Sequence, residues 1–544
     1  MSDRSGSPLR RITRRLLDWV GGEAPRPDCG EARPRIGILT YYAARKGCTT
    51  LSRTVEEALG GRPSVFPVRK LSRVDRELES LVAPPVEDFL DHDQVVRPGT
   101  RLVDWLDELD ILIVVERLMP TLFRRCRARG TKVLFILLLD YLPEDEAERR
   151  AGLELVDEVV SFTEQGCRVL AEDGFDRSCH VPAALGWPVV EPRPVNERLT
   201  FYFNVGVGGF LNRRNVPLVM ETFGDVLAEH PELALVLKML PAARKYLGAI
   251  AIPPQAEVIE ASLSTEEMVA LQQRVDVSLF PSRFEGLGYP LLESLYSAVP
   301  VIATDAPPMN EFVEHGVNGL VVKATRAGIF GLQTIHDLDP ADFKARVLDF
   351  AGESGRELCE RLKVGAHERV RTRRAAYESG WRAVIGRHAP RVAVLGDGGA
   401  QQGVLDLSLE PRSGGLCCAV DRLPLEDEAL DELIARESLG RVSTAATGAL
   451  LGEWRRVLRV GGRLRIETVD LAGLAEDLTR GRLDSTEFSA RLLAPGGRPG
   501  ARARAFDEAT LTALLAASGF EQIRRRPAES GRLVVEARRS AAGV

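Results

Sequence analysis

The sequence predicts an α/β protein: two doubly wound, Rossmann-like domains followed by a third Rossmann-like unit. Three observations carry this. Short runs rich in Val, Ile, Leu and Phe alternate with helical or polar segments from Pro34 to about Val190, and again from Thr200 to about His388. The alternation resumes after Ala389 and Pro390. In the second stretch a buried-strand pattern, a glycine turn and a helix start follow one another between Val275 and Glu293, an order that brings free backbone N–H groups to one point. A chain of 544 residues also exceeds what one core holds and suggests about three domains.

The first 33 residues hold Leu9, Ile12, Leu16 and Trp19 at helical spacing, with Arg10, Arg11, Arg14 and Arg15 between them. Gly21 and Gly22 end the pattern and a Pro-containing linker follows. Such a basic amphipathic helix either lies on an anionic membrane, as a peripheral contact, or docks on the protein's own surface; the second is favoured. The first domain, 34–190, takes its strands from Ile36–Leu39, Ile111–Val115, Lys132–Leu139 and Glu158–Phe162. The second, 191–388, takes them from Thr200–Val205, Leu233–Leu237, Ala256–Glu260, Val275–Phe280 and Val299–Ala303. The third, 389–544, opens with Arg391–Gly396. Ligands of such sheets sit at the carboxyl ends of the strands.

Composition narrows the function. Hydrophobic residues make up 44% and charged residues 28%, the balance of a soluble globular protein. The net charge of −6 implies no general affinity for nucleic acid. Eight cysteines without Cys-x-x-Cys spacing point neither to zinc nor to a disulfide framework, and Cys417 and Cys418 read as buried thiols. No signal peptide or membrane-spanning run is visible, so a cytoplasmic location is expected. No histidine cluster suggests a metal. Asp91-His92-Asp93 lies in a polar stretch with no strand before it and reads as a solvated loop.

The chemistry concentrates at Pro281–Glu293. Glu285 and Glu293 are separated by seven residues, with Gly286 and Gly288 after the first and Pro290 before the second. The glycine turn lets backbone approach a phosphate closely. Two carboxylates would repel that phosphate but suit neutral hydroxyls on either side of it. A nucleotide sugar has this layout of ribose, diphosphate and sugar.

These residues, with Val299–Asp305 and Asn310–Val322, resemble the Glu-x7-Glu motif and its following strands in family 4 glycosyltransferases, retaining enzymes of the GT-B fold. The resemblance implies a sugar moved from a nucleotide-sugar donor to a glycan, lipid or protein acceptor, in surface polysaccharide or glycoconjugate synthesis, with no cofactor. It assigns Glu293 to the ribose hydroxyls and Glu285 to the donor sugar, and faces the amides of Gly286 and Leu287 to the phosphate, with Gly288 completing the turn. Acceptor attack is from the front face, with the leaving phosphate taking the proton. The base would sit near Glu260 to Ser262.

Stabilising the leaving diphosphate calls for cations and N–H donors. The loop from Gly206 through Gly208 and Gly209 to Arg213, Arg214 and Asn215 offers both. In the family an Arg comes early in this loop and a Lys later. Arg214 matches the later position, whereas Gly208 stands where the early Arg is expected. Arg213, or Lys238 at the end of the next strand, would compensate. In the first domain Gly47 alone replaces a double glycine, and Tyr41, Tyr42, Lys46, Asp140 and Tyr141 are candidates for the acceptor side.

Glu453–Gly462, Asp421–Leu425, Asp431–Leu433 and Phe506–Leu511 resemble class I S-adenosylmethionine-dependent methyltransferases. The resemblance would place the cofactor on Gly396, Gly398, Asp406 and Asp421, with Asp406 ending the second strand. Few residues separate Gly399 from Asp406, too few for an ordinary parallel crossover. Gly440 and Arg441 also replace the Glu-His pair common after the fourth strand. A unit kept for packing, dimerisation or acceptor docking is favoured over an active methyltransferase. The whole chain is thus expected to be a glycosyltransferase, with a bifunctional enzyme or a non-catalytic scaffold as the alternatives.

Overall fold

The structure is a computed structural model describing residues 34–41, 47–61, 63–68, 101–115, 117–139, 142–206, 212–248, 250–389, 391–396, 404–408, 416–417, 423, 425–493, 505–529 and 531–541. The amphipathic segment 9–20 and Tyr42, Lys46, Asp91–Asp93, Asp140, Tyr141, Gly208, Gly209, Gly398 and Asp421 lie outside the described residues.

The first sheet comprises β1 (Ile36–Tyr41), β2 (Ser64–Val68), β3 (Ile111–Val115), β4 (Lys132–Leu137), β5 (Glu158–Ser161) and β6 (Ser178–His180). They run parallel in the order β2-β1-β3-β4-β5-β6. Every residue of β3 is buried, because helices cover both faces; that is why its sequence is apolar without alternation.

The second sheet comprises β7 (Leu199–Gly206), β8 (Leu233–Met239), β9 (Glu257–Glu260), β10 (Val277–Phe280), β11 (Val301–Thr304) and β12 (Gly319–Val322). Its parallel order, read from one edge, is β9-β8-β7-β10-β11-β12. The direction of winding reverses between β7 and β10, and in doubly wound sheets the crevice outside this reversal is where ligands bind. An antiparallel hairpin of β13 (Ala324–Phe330) and β14 (Gln333–Leu338) follows, turning at Gly331 with φ 56°. Sequence reading assigned nothing there, although a short Gly-containing loop between β-rich runs is a hairpin signal.

Helix α1 (Val216–Glu229) leaves the β7 side of the reversal and α2 (Tyr289–Tyr296) the β10 side. Helix α3 (Gly352–His388) has 37 residues, about 55 Å of rise. Its first half packs Cys359 and Leu362 into the second unit's core. Its second half returns to the first unit, where Tyr377 and Trp381 stand 5.7 and 6.3 Å from Phe162. At the other end of the second sheet, buried Asp276 takes Lys363 of α3 at 2.7 Å and Arg193 at 3.1 Å. The carboxylate of Glu311 bridges the units, accepting from the Glu164 and Gln165 amides at 2.7 and 2.8 Å.

The third sheet comprises β15 (Val392–Gly396), β16 (Val404–Ser408), β17 (Leu416–Cys417), β18 (Leu430–Arg436), β19 (Leu458–Val469), β20 (Phe520–Arg526) and β21 (Arg532–Arg539). The order is β17-β16-β15-β18-β19-β21-β20, with β21 antiparallel to both neighbours. Glu453 to Leu458 serve this core: Trp454, Val457 and Leu458 are fully buried, and Glu453 accepts from the Leu423 amide at 2.8 Å. Arginines join this unit to the first. Arg463 reaches Asp110 at 2.6 Å, Arg538 donates to the Arg129 carbonyl at 2.9 Å, and Arg459 donates to the Gly130 carbonyl at 2.8 Å. Burial among like charges pulls Arg538 down to about 10. Among the described residues no helix is long and apolar enough to cross a membrane.

Candidate functional site

The winding reversal positions the two loops that carry the sequence motifs. Gly206 ends β7 in the left-handed region, φ 75°, so the chain turns sharply there. A Cβ on Gly206 would stand 3.4 Å from the Arg214 Nε. The turn at 212–215 then delivers Arg213 and Arg214, and Asn215, also left-handed at φ 57°, opens α1. On the other side, Phe280 ends β10, and Pro281 to Gly288 lead into α2. Gly288 has φ 84°, a backbone conformation that favours glycine, while a Cβ there would make only ordinary contact with the Phe280 ring, at 3.4 Å.

Arg283 fastens the two loops together. Its amide donates to the Arg213 carbonyl at 2.8 Å and its guanidinium to Asn212 Oδ1 at 2.6 Å. This brings the Arg213 Nη2 to 3.5 Å from the Glu285 Oε2. The pair is nearly closed to solvent, with Glu285 at 4% exposure. Arg214 is more buried than Arg213, donating to the Asn204 carbonyl at 3.3 Å and standing over the Phe280 ring at 5.6 Å. Burial pulls its guanidinium below the ordinary range, opposed by Glu285.

Glu293 projects from α2, half-buried as a side chain but with its carboxyl deep enough for burial to dominate. Burial pushes that carboxyl up to about 7, against the pull of Lys238 and Arg214. Lys238, next to last in β8, is 9% exposed. Tyr202, from the middle of β7, is raised by burial and by Glu293. Arg213, Arg214 and Lys238 therefore face Glu285 and Glu293 around one end of the second sheet.

The buried atoms of this cluster without a hydrogen-bond partner include the Glu285 Oε1, the Arg214 Nε and the Tyr202 hydroxyl. Leaving such groups unmet costs about 1–3 kcal/mol each, more for charged ones, a cost that water or a bound ligand would relieve. A carboxylate oxygen wants a hydroxyl donor, and a guanidinium N–H wants an anionic or carbonyl oxygen. Among the described residues no group of three metal-ligating side chains forms.

The expected site residues are thus divided. Gly206, Arg213, Arg214, Lys238, Glu285, Gly286, Gly288 and Glu293 gather around the reversal. The Leu287 side chain packs in the large core cluster, leaving only its backbone to the site. Glu260 is held by Arg244 at 2.5 Å. In the third unit Gly396 ends β15 as expected. Asp406 does not end β16: it sits mid-strand opposite Val394, two residues before Ser408, because the strand continues in register past it. β15 and β16 pair in parallel, Val392–Leu395 against Val404–Leu407, with only residues 397–403 between the two strands. Sequence reading missed Arg283, Asn212, Phe284 and Tyr202. Their roles come from contacts across the sheet and carry no local pattern.

Residues 192–329 match the family model described as Glycosyl transferases group 1. This segment holds every residue of the cluster. The chain is also 27% identical, over 122 residues, to an uncharacterized glycosyltransferase of Sulfolobus islandicus rod-shaped virus 1. That similarity covers 22% of this chain, and the chain spans only 36% of the length of this curated relative. Among solved structures, sucrose-phosphate synthase from Thermosynechococcus elongatus aligns over 65% of this chain and 100% of its own, at 12% identity and a TM-score of 0.48. Anabaena HepE, solved in complex with UDP-glucose, aligns over the same shares at 13% identity and a TM-score of 0.46.

Proposed function

We propose that the chain is a retaining, family 4 glycosyltransferase of GT-B architecture that moves a sugar from a nucleotide-sugar donor to a glycan, lipid or protein acceptor. The carrying observation is the Arg213–Glu285 pair beside buried Arg214 and Glu293, at the winding reversal of a parallel sheet. The donor's diphosphate would meet Arg214 and the amides at the start of α2. Its ribose hydroxyls would meet Glu293, and its sugar hydroxyls the open oxygen of Glu285. Arginines and helix amides stabilise the charge that grows on the leaving diphosphate, which is where catalysis of this transfer is most needed. No carboxylate need act as nucleophile. The group 1 family match to residues 192–329 supports this reading. We place the reaction in surface polysaccharide or glycoconjugate synthesis, in the cytoplasm, with any membrane contact peripheral.

Calorimetry against UDP-, GDP- and ADP-sugars tests it. The expected result is binding of one nucleotide class and release of its nucleoside diphosphate on addition of acceptor. Absence of binding by all three classes overturns it.

For the third unit we propose a docking role on the first unit, supported by the arginine contacts of Arg463, Arg538 and Arg459. S-adenosylmethionine should bind weakly or not at all, because Asp406 is mid-strand. A low-micromolar dissociation constant in the intact chain would favour a bifunctional enzyme instead.

A further inference from the structure

We propose that Arg283 and Asp337 are positioning residues of the donor site: together they brace Arg213 against Glu285, and so set the carboxylate that meets the donor sugar. The proposal rests on the glycosyl-transfer reading above and deepens it.

Arg283 joins segments that lie far apart in the chain. Its amide donates to the Arg213 carbonyl at 2.8 Å, and its carbonyl accepts from the His336 amide at 2.9 Å. Its guanidinium divides between two acceptors. Nη1 donates to the Asn212 Oδ1 at 2.6 Å, while Nε and Nη2 stand 2.8 and 2.6 Å from one oxygen of Asp337. Strand β14 is thus fixed to the turn that carries Arg213, with Arg283 as the link. An aromatic contact runs beside it. The Arg213 guanidinium stands 5.8 Å from the centre of the Phe284 ring, and the Phe330 ring of β13 lies 5.0 Å from Phe284. The family match ends at residue 329, so His336 and Asp337 lie beyond it.

The pair that this brace serves is a loose one. Arg213 and Glu285 approach only to 3.5 Å, longer than an ordinary N–H···O bond, so the contact by itself defines little of its own geometry. The bonds of Arg283 to the backbone of Arg213, two residues before Glu285, supply what the contact lacks. A planar guanidinium suits this work, because its N–H groups fix the angle between Asn212 and Asp337, which a lysine ammonium does not. The side chains of Arg283 and Asp337 are 20% and 56% exposed, so solvent screens their attraction and it contributes little to global stability. Their effect falls instead on placement, to which a binding site is far more sensitive.

Calorimetry on the intact chain tests this, with UDP-, GDP- and ADP-sugars and the matching nucleoside diphosphates. In Arg283→Ala and in Asp337→Ala, affinity for the nucleotide sugar is expected to fall about fivefold to tenfold, while affinity for its free diphosphate stays within about twofold and the urea midpoint is unchanged. Asp337→Asn keeps an acceptor oxygen and should bind as the wild type does. Arg283→Lys should fall between wild type and Arg283→Ala. In a Glu285→Ala background, adding Arg283→Ala should cost nothing further, because the brace acts through Glu285.

Arg283→Ala and Asp337→Ala proteins with wild-type affinity for the nucleotide sugar overturn the brace and leave the donor reading standing. So does an equal loss of affinity for the free diphosphate, or a further loss in the Glu285→Ala background, since either makes the pair a general support of the fold. If Arg283→Ala does not fold, Asp337→Ala and Asp337→Asn decide the matter by the same measurements. Wild-type protein that binds the diphosphates but gains nothing from any sugar removes Glu285 from the sugar and overturns the proposal. Wild-type protein that binds no nucleotide of the three classes overturns the donor reading, and the brace falls with it.

Discussion

The Arg213 guanidinium holds one oxygen of Glu285 at 3.5 Å and leaves the other, buried, without a partner. A carboxylate so placed is oriented by one ion pair and has its other oxygen open to a donor. The donor sugar's hydroxyl is the group proposed to complete it. Glu285→Ala is therefore expected to leave affinity for the free nucleoside diphosphate within about twofold and to lower sugar transfer by about 10–100-fold, the worth of one charged hydrogen bond. Turnover and calorimetric titration decide it. Loss of diphosphate binding in a folded variant would exchange the roles of Glu285 and Glu293.

Glu293 makes the molecule sensitive to pH. Its carboxyl has a folded value of about 7 against an ordinary 4.5, so between those values the folded state holds a proton that the unfolded state has released. Its contribution to stability is therefore present below about pH 4.5, declines as pH rises to about 7, and is level above that. Glu293→Gln should remove this slope and make the protein up to about 3 kcal/mol more stable at pH 8, less in so far as the side chain is exposed. Binding shows the reverse trend: nucleotide affinity should weaken below pH 7 in the wild type, because the ionised carboxylate is the stronger acceptor for ribose hydroxyls. Urea unfolding and titrations at pH 5, 6, 7 and 8 check both. A flat wild-type binding profile would remove Glu293 from the ribose.

Arg214→Ala is expected to reduce turnover more than Arg213→Ala. Arg214 is the more deeply buried and keeps one guanidinium N–H without a partner besides its Asn204 contact. Arg213 is already engaged by Glu285. A difference of about tenfold between the two is expected, from one further charge-assisted bond to phosphate. Equal and small losses would shift the diphosphate contact to Lys238 or to the α2 amides.

Asp276 is a structural acid remote from the chemistry. It is fully buried, and its partner Lys363 is only 1% exposed. Asp276→Ala would leave that ammonium unpaired and should cost about 3–5 kcal/mol, with nucleotide affinity unchanged in whatever fraction stays folded. Replacing both with apolar residues, Asp276→Leu with Lys363→Met, should recover only part of the loss, because Arg193 and the Thr200 amide still lose their acceptor. A thermal or urea transition unchanged in Asp276→Ala would contradict the pairing.

What the sequence determined by itself was local. Apolar runs such as Ile111–Val115 predict β3 to the residue, because a strand covered by helices on both faces needs no polar positions. Glu285, the glycine turn and Glu293 are likewise visible as a strand, a turn and a helix start, since each depends on neighbours a few residues away. Tertiary structure decided which groups meet. The order β9-β8-β7-β10-β11-β12 brings Arg213 from one crossover to Glu285 on another. It also carries the second half of α3 back to Phe162 and turns a hairpin toward the first unit. The same packing left Asp406 inside a strand rather than at its end. The physical reason is that periodicity and turn chemistry act over a few residues. Pairing of charges, burial of a carboxyl and stacking of Phe284 on Phe330 depend on residues tens to hundreds of positions apart, which only the folded chain brings together.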